Sequence, residues 1–190
     1  MKKITIGGIG SVLLGDDGVG PYVAHLLEAS YRFDEGVTIA DLGTPGLDLV
    51  AHLSGQDALI LIDSVANGAA PGTVTLYRRA EILKHGPAPV RMDPHSPALS
   101  ESLLIADLAG QSPQDLLLIG ITGAQYEIGA GLSETAIMAA LEAVTETLTE
   151  LSRLGSKYSE KPSPRDLSTW WEPAHGELAA VLASTSNHIR

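Results

Sequence analysis

The run Ala58-Leu59-Ile60-Leu61-Ile62 limits the possible folds most tightly, because it has no polar residue to turn toward water. A strand with one wet face alternates polar and apolar positions. A run that does not alternate is buried on both faces, as parallel strands are when helices cover both sides of a sheet. The run starts after Asp57 and ends in Asp63, and Leu116-Leu117-Leu118-Ile119-Gly120-Ile121 repeats the pattern. Helical stretches lie between such runs, so the chain reads as an α/β sandwich with a mostly parallel sheet.

In order, a strand from about Lys3 to Gly8 leads into a glycine-rich turn that carries Asp16 and Asp17. Pro21 suits the first turn of a helix reaching about Ser30, with Val23, Leu26 and Leu27 inward. Gly36 to Ala40 reads as the second strand, and Thr44-Pro45 as the start of a helix from Gly46 to about Leu53. After the turn Asn67 to Gly72, the segment Thr73 to Tyr77 alternates as a strand. The connection is too short for a crossover helix, so this strand is expected to run antiparallel, next to the strand ending in Asp63.

His85 to Pro97 reads as a proline-rich ordered loop, followed by a helix from Ala98 to about Ala109 that Ser96-Pro97 caps and Gly110 closes. Ser133 caps the longest helix, to about Leu154, with Ile137, Leu141, Val144, Leu148 and Leu151 as its apolar stripe. From Ser156 the composition changes to a polar linker, then Trp170-Trp171, which is expected to dock on the domain, and a short candidate helix, Ala174 to Ala183. The division is a domain over 1–155 and a C-terminal extension over 156–190, a size that fits one domain plus an appendage.

Hydrophobic residues make up 44% of the chain and aromatics 4%, so the core is aliphatic. The net charge of −11 argues against nucleic acid, which needs a basic stripe. No cysteine is present, which removes disulfides, thiolate metal sites and cysteine nucleophiles and suits the cytoplasm. No apolar segment approaches membrane-spanning length, and the N-terminus lacks the apolar run of a signal peptide. A soluble cytoplasmic protein with no membrane partner is the expectation.

Asp17 follows the first strand, Asp63 ends the third, and His95 lies in the loop beyond the antiparallel strand, so all three fall at one edge of the sheet. Ligands bind at that edge in open α/β sheets. Two carboxylates and an imidazole make an open site for nickel, zinc or iron. The alternative on spacing alone is that Asp17 caps the Pro21 helix, Asp63 caps a turn and His95 is a loop histidine. Gly8-x-Gly10 opens like a dinucleotide fingerprint, but Leu13 stands where the third glycine belongs and two acids would repel a pyrophosphate. Ser64, Ser96 and Ser100 are not in G-x-S-x-G, and H-E-x-x-H is absent. His25 and His52 sit on helices, and His85, His175 and His188 have no acidic partner at ligand spacing.

Taken together, Gly8 to Gly20 (GIGSVLLGDDGVG), Asp41 to Gly46 (DLGTPG), Leu59 to Asp63 (LILID), Ala70 to Val74 (APGTV) and Asp93 to Ser96 (DPHS) resemble the hydrogenase maturation endopeptidases. The resemblance covers about Lys3 to Gly155. It implies a three-layer α/β/α fold with a five-stranded sheet, one strand antiparallel. It also implies an endopeptidase that trims the C-terminus of the precursor of a nickel–iron hydrogenase large subunit after nickel insertion. The implied ligands for the nickel carried by that substrate are Asp17, Asp63 and His95, with no organic cofactor. Catalysis would involve Asp17, Asp63 and Asp16: either the metal held by Asp17, Asp63 and His95 polarises the carbonyl and activates water, with Asp16 supporting a ligand or serving as general base, or the nickel only aligns the scissile bond and Asp16 is the catalytic carboxylate. Two departures stand out: Ser11 where members usually carry Asn, and a tail beyond Gly155 longer than the family core. Ser keeps a donor and an acceptor, so a shifted turn is expected rather than lost function. A nickel-sensing chaperone that binds the precursor without cutting, and a nucleotide-binding α/β enzyme, are the alternative functions.

Overall fold

A computed structural model describes residues 2–84, 99–162, 169 and 171. Its main sheet contains β1 (Ile4–Ile9), β3 (Val37–Gly43), β4 (Ala58–Val65), β5 (Val74–Arg78) and β6 (Asp115–Thr122), in the order β3-β1-β4-β6-β5. All neighbours are parallel except β5, which pairs antiparallel with β6. This is the five-stranded, mostly parallel sheet the resemblance implies, with helices on both faces.

The two-faced burial of β4 follows residue by residue. Ala58, Ile60 and Ile62 pack with Leu117, Ile119 and Ile121 against helices α1 (Val19–Ser30) and α5 (Glu134–Arg153). Leu59 and Leu61 point the other way and pack with Leu116 and Leu118, against α2 (Leu49–Leu53) and α4 (Leu99–Leu108). The strand's period of two serves both layers at once, which is why the run has no polar position. A short helix, α3 (Arg79–Lys84), adds Ile82 to the second layer. On α5 the expected stripe is met: Ile137, Val144, Leu148 and Leu151 are buried and Leu141 packs at its margin.

Two expectations are corrected. The antiparallel strand β5 does not lie beside β4, because β1 and β6 already occupy both edges of β4; β5 finds the outer edge of β6 instead. The polar linker opens with a strand: β7 (Tyr158–Glu160) pairs antiparallel with β2 (Tyr31–Phe33), and Tyr158 packs edge-on against Tyr31. The aromatic and β-branched content of that linker is low, so composition hid a strand whose pairing is only three residues long. The helix expected from Gly46 opens as a 3-10 turn, Gly46–Asp48, before α2. The loop His85–Pro97, the Ser96 cap, Trp170 and the helix expected over 174–183 lie outside the described residues.

Glycine makes the approach of α1 to the sheet possible. A Cβ on Gly20 would collide with the backbone carbonyls of Ile9 and Ile62, and one on Gly8 would collide with the carbonyl of Gly20. The first turn of α1 therefore rests directly on the carboxyl ends of β1 and β4. Pro21 sits in that turn, where its missing N–H leaves nothing unpaired. Among the described residues no helix is long and apolar enough to cross a membrane.

Candidate active site

The carboxyl edge of β1 and β4 collects the acidic residues. In the register of these two parallel strands Gly8 stands opposite Ile62, so Asp63 is the first β4 residue beyond the pairing with β1, still paired with Gly120 of β6 on its other side. The turn after β1 winds into a 3-10 helix, Gly15–Gly18, which packs against β4 and carries Asp16 and Asp17. Asp17 and Asp63 are thus brought to one edge by two neighbouring strands. Both are nearly buried, at 6% and 8% exposure, where an unsupported carboxylate would be costly.

Each acid is held by backbone. Asp17 Oδ2 accepts from the Ser11 N–H at 2.6 Å. Because the donor is main chain, the bond does not depend on the side chain at position 11. Asp63 Oδ1 accepts from the following N–H, that of Ser64, at 2.9 Å. His95, the third expected ligand, lies outside the described residues, and no three His, Asp or Glu side chains cluster as a metal site among the described ones.

Asp16 is turned differently. It is fully buried, and its carboxylate is engaged by four donors of the segment between β6 and α5. Oδ2 accepts from the N–H of Ala124 at 2.6 Å, the N–H of Gln125 at 3.2 Å and the Ser133 hydroxyl at 2.8 Å. Oδ1 accepts from the Ser133 N–H at 2.6 Å. Of the two roles expected for Asp16, support of its neighbour matches this arrangement. As a general base it would need a free oxygen toward the substrate, and its oxygens are engaged by the β6–α5 segment.

Three further residues, not among the sequence candidates, border this edge. Ser133 was legible only as a helix cap, a role it fulfils by accepting from the Ala136 N–H at 3.2 Å. Tyr126 reaches across from the same segment to share a hydrogen bond with the Ser64 hydroxyl at 3.1 Å. Asn67 joins three strand ends: Nδ2 donates to Tyr77 Oη at 2.8 Å and Thr75 Oγ1 at 3.2 Å, while Oδ1 accepts from Thr122 Oγ1 at 3.0 Å and the Ala69 N–H at 3.0 Å. For Ser133 and Tyr126 the available signal was the length of the connection between β6 and α5, with Gly123, Gly129 and Gly131 in it. The other candidate nucleophiles have no such setting: Ser100 is buried on α4, and Ser96 lies outside the described residues.

At the opposite edge of the sheet, Glu150 accepts from Arg78 Nη1 at 2.6 Å and from Arg153 Nε at 2.9 Å, and Arg153 also meets Asp115 at 2.6 Å. Burial alone would raise the Glu150 carboxyl, but hydrogen bonds from Arg153 and Arg78 bring it down to about 2. The network belongs to the fold rather than to the acidic edge.

Comparison with known proteins gives one consistent answer. Residues 21–150 match the hydrogenase maturation protease (HycI) family, a span that starts just after the Asp16–Asp17 pair and includes Asp63 and His95. The hydrogenase expression/formation protein HupM of Azotobacter chroococcum mcd 1 is 38% identical over 140 residues, covering 74% of this chain and 66% of that protein. The chain therefore spans about two thirds of the length of that relative. The hydrogenase 2 maturation protease of Escherichia coli K12 is 32% identical over 154 residues, covering 78% of this chain and 92% of that protein. The solved structure of the hydrogenase maturating endopeptidase HybD from E. coli superimposes with a TM-score of 0.77 at 28% identity, covering 84% of this chain and 98% of that one. With its parallel sheet, its acids gathered at the carboxyl edge and these matches, the chain belongs to the hydrogenase maturation protease family, a family of peptide-bond hydrolases.

Proposed function

We propose that this protein is an endopeptidase that removes a C-terminal peptide from the precursor of a nickel–iron hydrogenase large subunit once nickel is in place. The observation that carries the reading is the buried pair Asp17 and Asp63 on the carboxyl edge of adjacent strands, in a chain of the maturation protease family. Two carboxylates, joined by the His95 imidazole, make a hard-to-intermediate donor set that suits a divalent ion of the first transition row. The nickel is part of the substrate. A precursor that carries it offers a positive ion to this acidic edge, and a precursor without it offers none, so the order of insertion and cleavage follows from charge.

Hydrolysis adds water to the scissile carbonyl carbon, breaks the C–N bond and delivers a proton to the leaving amine. In this reading Asp17 and Asp63 orient the water and take its proton, while Asp16 is held by the segment between β6 and α5. The reading puts the reaction in the cytoplasm, which suits a chain without cysteine. The test is to incubate the protein with nickel-loaded and nickel-free precursor and weigh the large subunit. Shortening of the loaded precursor alone is expected. Tight binding with no change of mass would replace the peptidase by a nickel-sensing chaperone.

A further inference from the structure

We infer that the segment from Gly123 to Ser133 is a bracket that sets the spacing of Asp17 and Asp63, with Asp16, Ser133 and Tyr126 as its positioning residues. The inference rests on the reading of Asp17 and Asp63 as the working acids.

One arm of the bracket grips the turn that carries Asp17. Asp16 takes its four bonds from three residues of this segment, Ala124, Gln125 and Ser133. The grip is returned by backbone, since the Asp16 N–H donates to the Gln125 carbonyl at 2.9 Å and the Gly129 N–H donates to the Leu13 carbonyl at 2.9 Å. Ser133 begins the 20-residue helix α5, so the Asp16 charge also sits at the positive end of a long helix. A carboxylate only accepts, and every group it faces here is a donor; an amide in its place would turn an NH2 against N–H groups. Asp17 is the next residue in a tight 3-10 turn and moves with this anchor.

The other arm reaches the strand that carries Asp63. Tyr126 leaves the middle of the segment and its hydroxyl bonds Ser64 Oγ at 3.1 Å, while the Ser64 N–H holds Asp63 Oδ1 at 2.9 Å. Gly123 is required where the two arms meet, because a Cβ there would strike both the Tyr126 hydroxyl and the Asp16 Cβ. The segment braces itself as well, Gln125 Nε2 donating to the Gly131 carbonyl at 3.2 Å. One loop thus fixes the two acid-bearing elements relative to each other, on the side where β1 and β4 no longer hydrogen-bond.

The test compares Asp16→Asn, Ser133→Ala, Ser133→Thr and Tyr126→Phe with the wild type on nickel-loaded precursor, well below their unfolding temperatures. Displacing an acid by an ångström lowers kcat by about 100-fold in Asp16→Asn, with KM within about threefold because the precursor's surface contacts remain. Ser133→Ala lowers kcat by roughly 10-fold, Ser133→Thr restores it, and Tyr126→Phe loses several-fold. A second arm needs no substrate: in Asp16→Asn, and in Ser133→Ala should the former fail to fold, amide exchange at Ala124, Gln125 and Ser11 speeds by at least about 10-fold while core strands stay protected. The inference is overturned if Ser133→Ala and Tyr126→Phe keep the wild-type kcat, or if exchange at these amides is unchanged. Failure of the wild type to shorten the precursor would instead remove the proposed function, and the exchange arm would still decide the bracket.

Discussion

Ser133 donates both its backbone N–H and its hydroxyl to the Asp16 carboxylate, at 2.6 and 2.8 Å, although 117 positions separate them in the chain. The same hydroxyl accepts from the Ala136 N–H and so caps α5. A helix start, a buried acid and the first turn after β1 are therefore one structural unit.

That sharing predicts a large effect from a small deletion. Ser133→Ala loses a cap and leaves one bond of a buried charge unmade, and is expected to destabilise by about 2 kcal/mol. Ser133→Thr, which keeps the oxygen, should lose under about 0.5 kcal/mol. Urea unfolding of the two variants checks both values.

Gly20 predicts a steric effect. Its missing Cβ would meet two backbone carbonyls, which cannot turn aside as a flexible side chain can. Gly20→Ala should destabilise by roughly 3 kcal/mol or more. Gly155→Ala, where the space is open and the φ of 82° is the only obstacle, should lose about 1 kcal/mol. Equal losses at the two sites in urea titrations would contradict the packing of α1 on the sheet edge.

Glu150 predicts a pH dependence. Its carboxyl stands at about 2 in the fold against an ordinary 4.5, pulled down by Arg153 and Arg78 against the opposing effect of burial. A lowered folded value means that the folded state favours the charged form. The contribution is complete above about pH 5 and is lost as pH falls through 4.5 toward 2. With both guanidiniums half-exposed and screened, it amounts to about 2 kcal/mol. Glu150→Gln should be less stable at neutral pH and flatter between pH 5 and 2.5 in thermal or urea unfolding.

The fold was legible wherever burial is two-sided or periodic. The unbroken run in β4 announced a covered parallel strand, and the stripe on α5 announced its face. What stayed hidden depends on partners remote in sequence. The neighbour of β5 is decided by which strand edges remain open once β1 and β6 flank β4, a competition that no local pattern records. The strand β7 forms because Tyr31 and Phe33 offer it an aromatic surface, and its own residues read as linker.

The site divides in the same way. Two adjacent acids after a glycine turn single out the candidate edge, and the structure places Asp17 and Asp63 on the carboxyl side of neighbouring strands. Local pattern cannot say which of two adjacent Asp distant donors will engage, because a 3-10 turn points successive side chains roughly 120° apart. The donors that draw Asp16 inward lie in a loop more than a hundred residues later.

On the proposed function, Asp17, Asp63 and His95 recognise a nickel-bearing precursor for cleavage. The most direct measurement is the intact mass of the large subunit after incubation with the wild type and with Asp17→Asn, Asp63→Asn and His95→Gln, each checked to be folded. The account predicts loss of a C-terminal peptide with the wild type on nickel-loaded precursor, and a rate lower by roughly 100- to 10,000-fold in each variant. Wild-type rates in all three variants, or equal cleavage of nickel-free precursor, would contradict it.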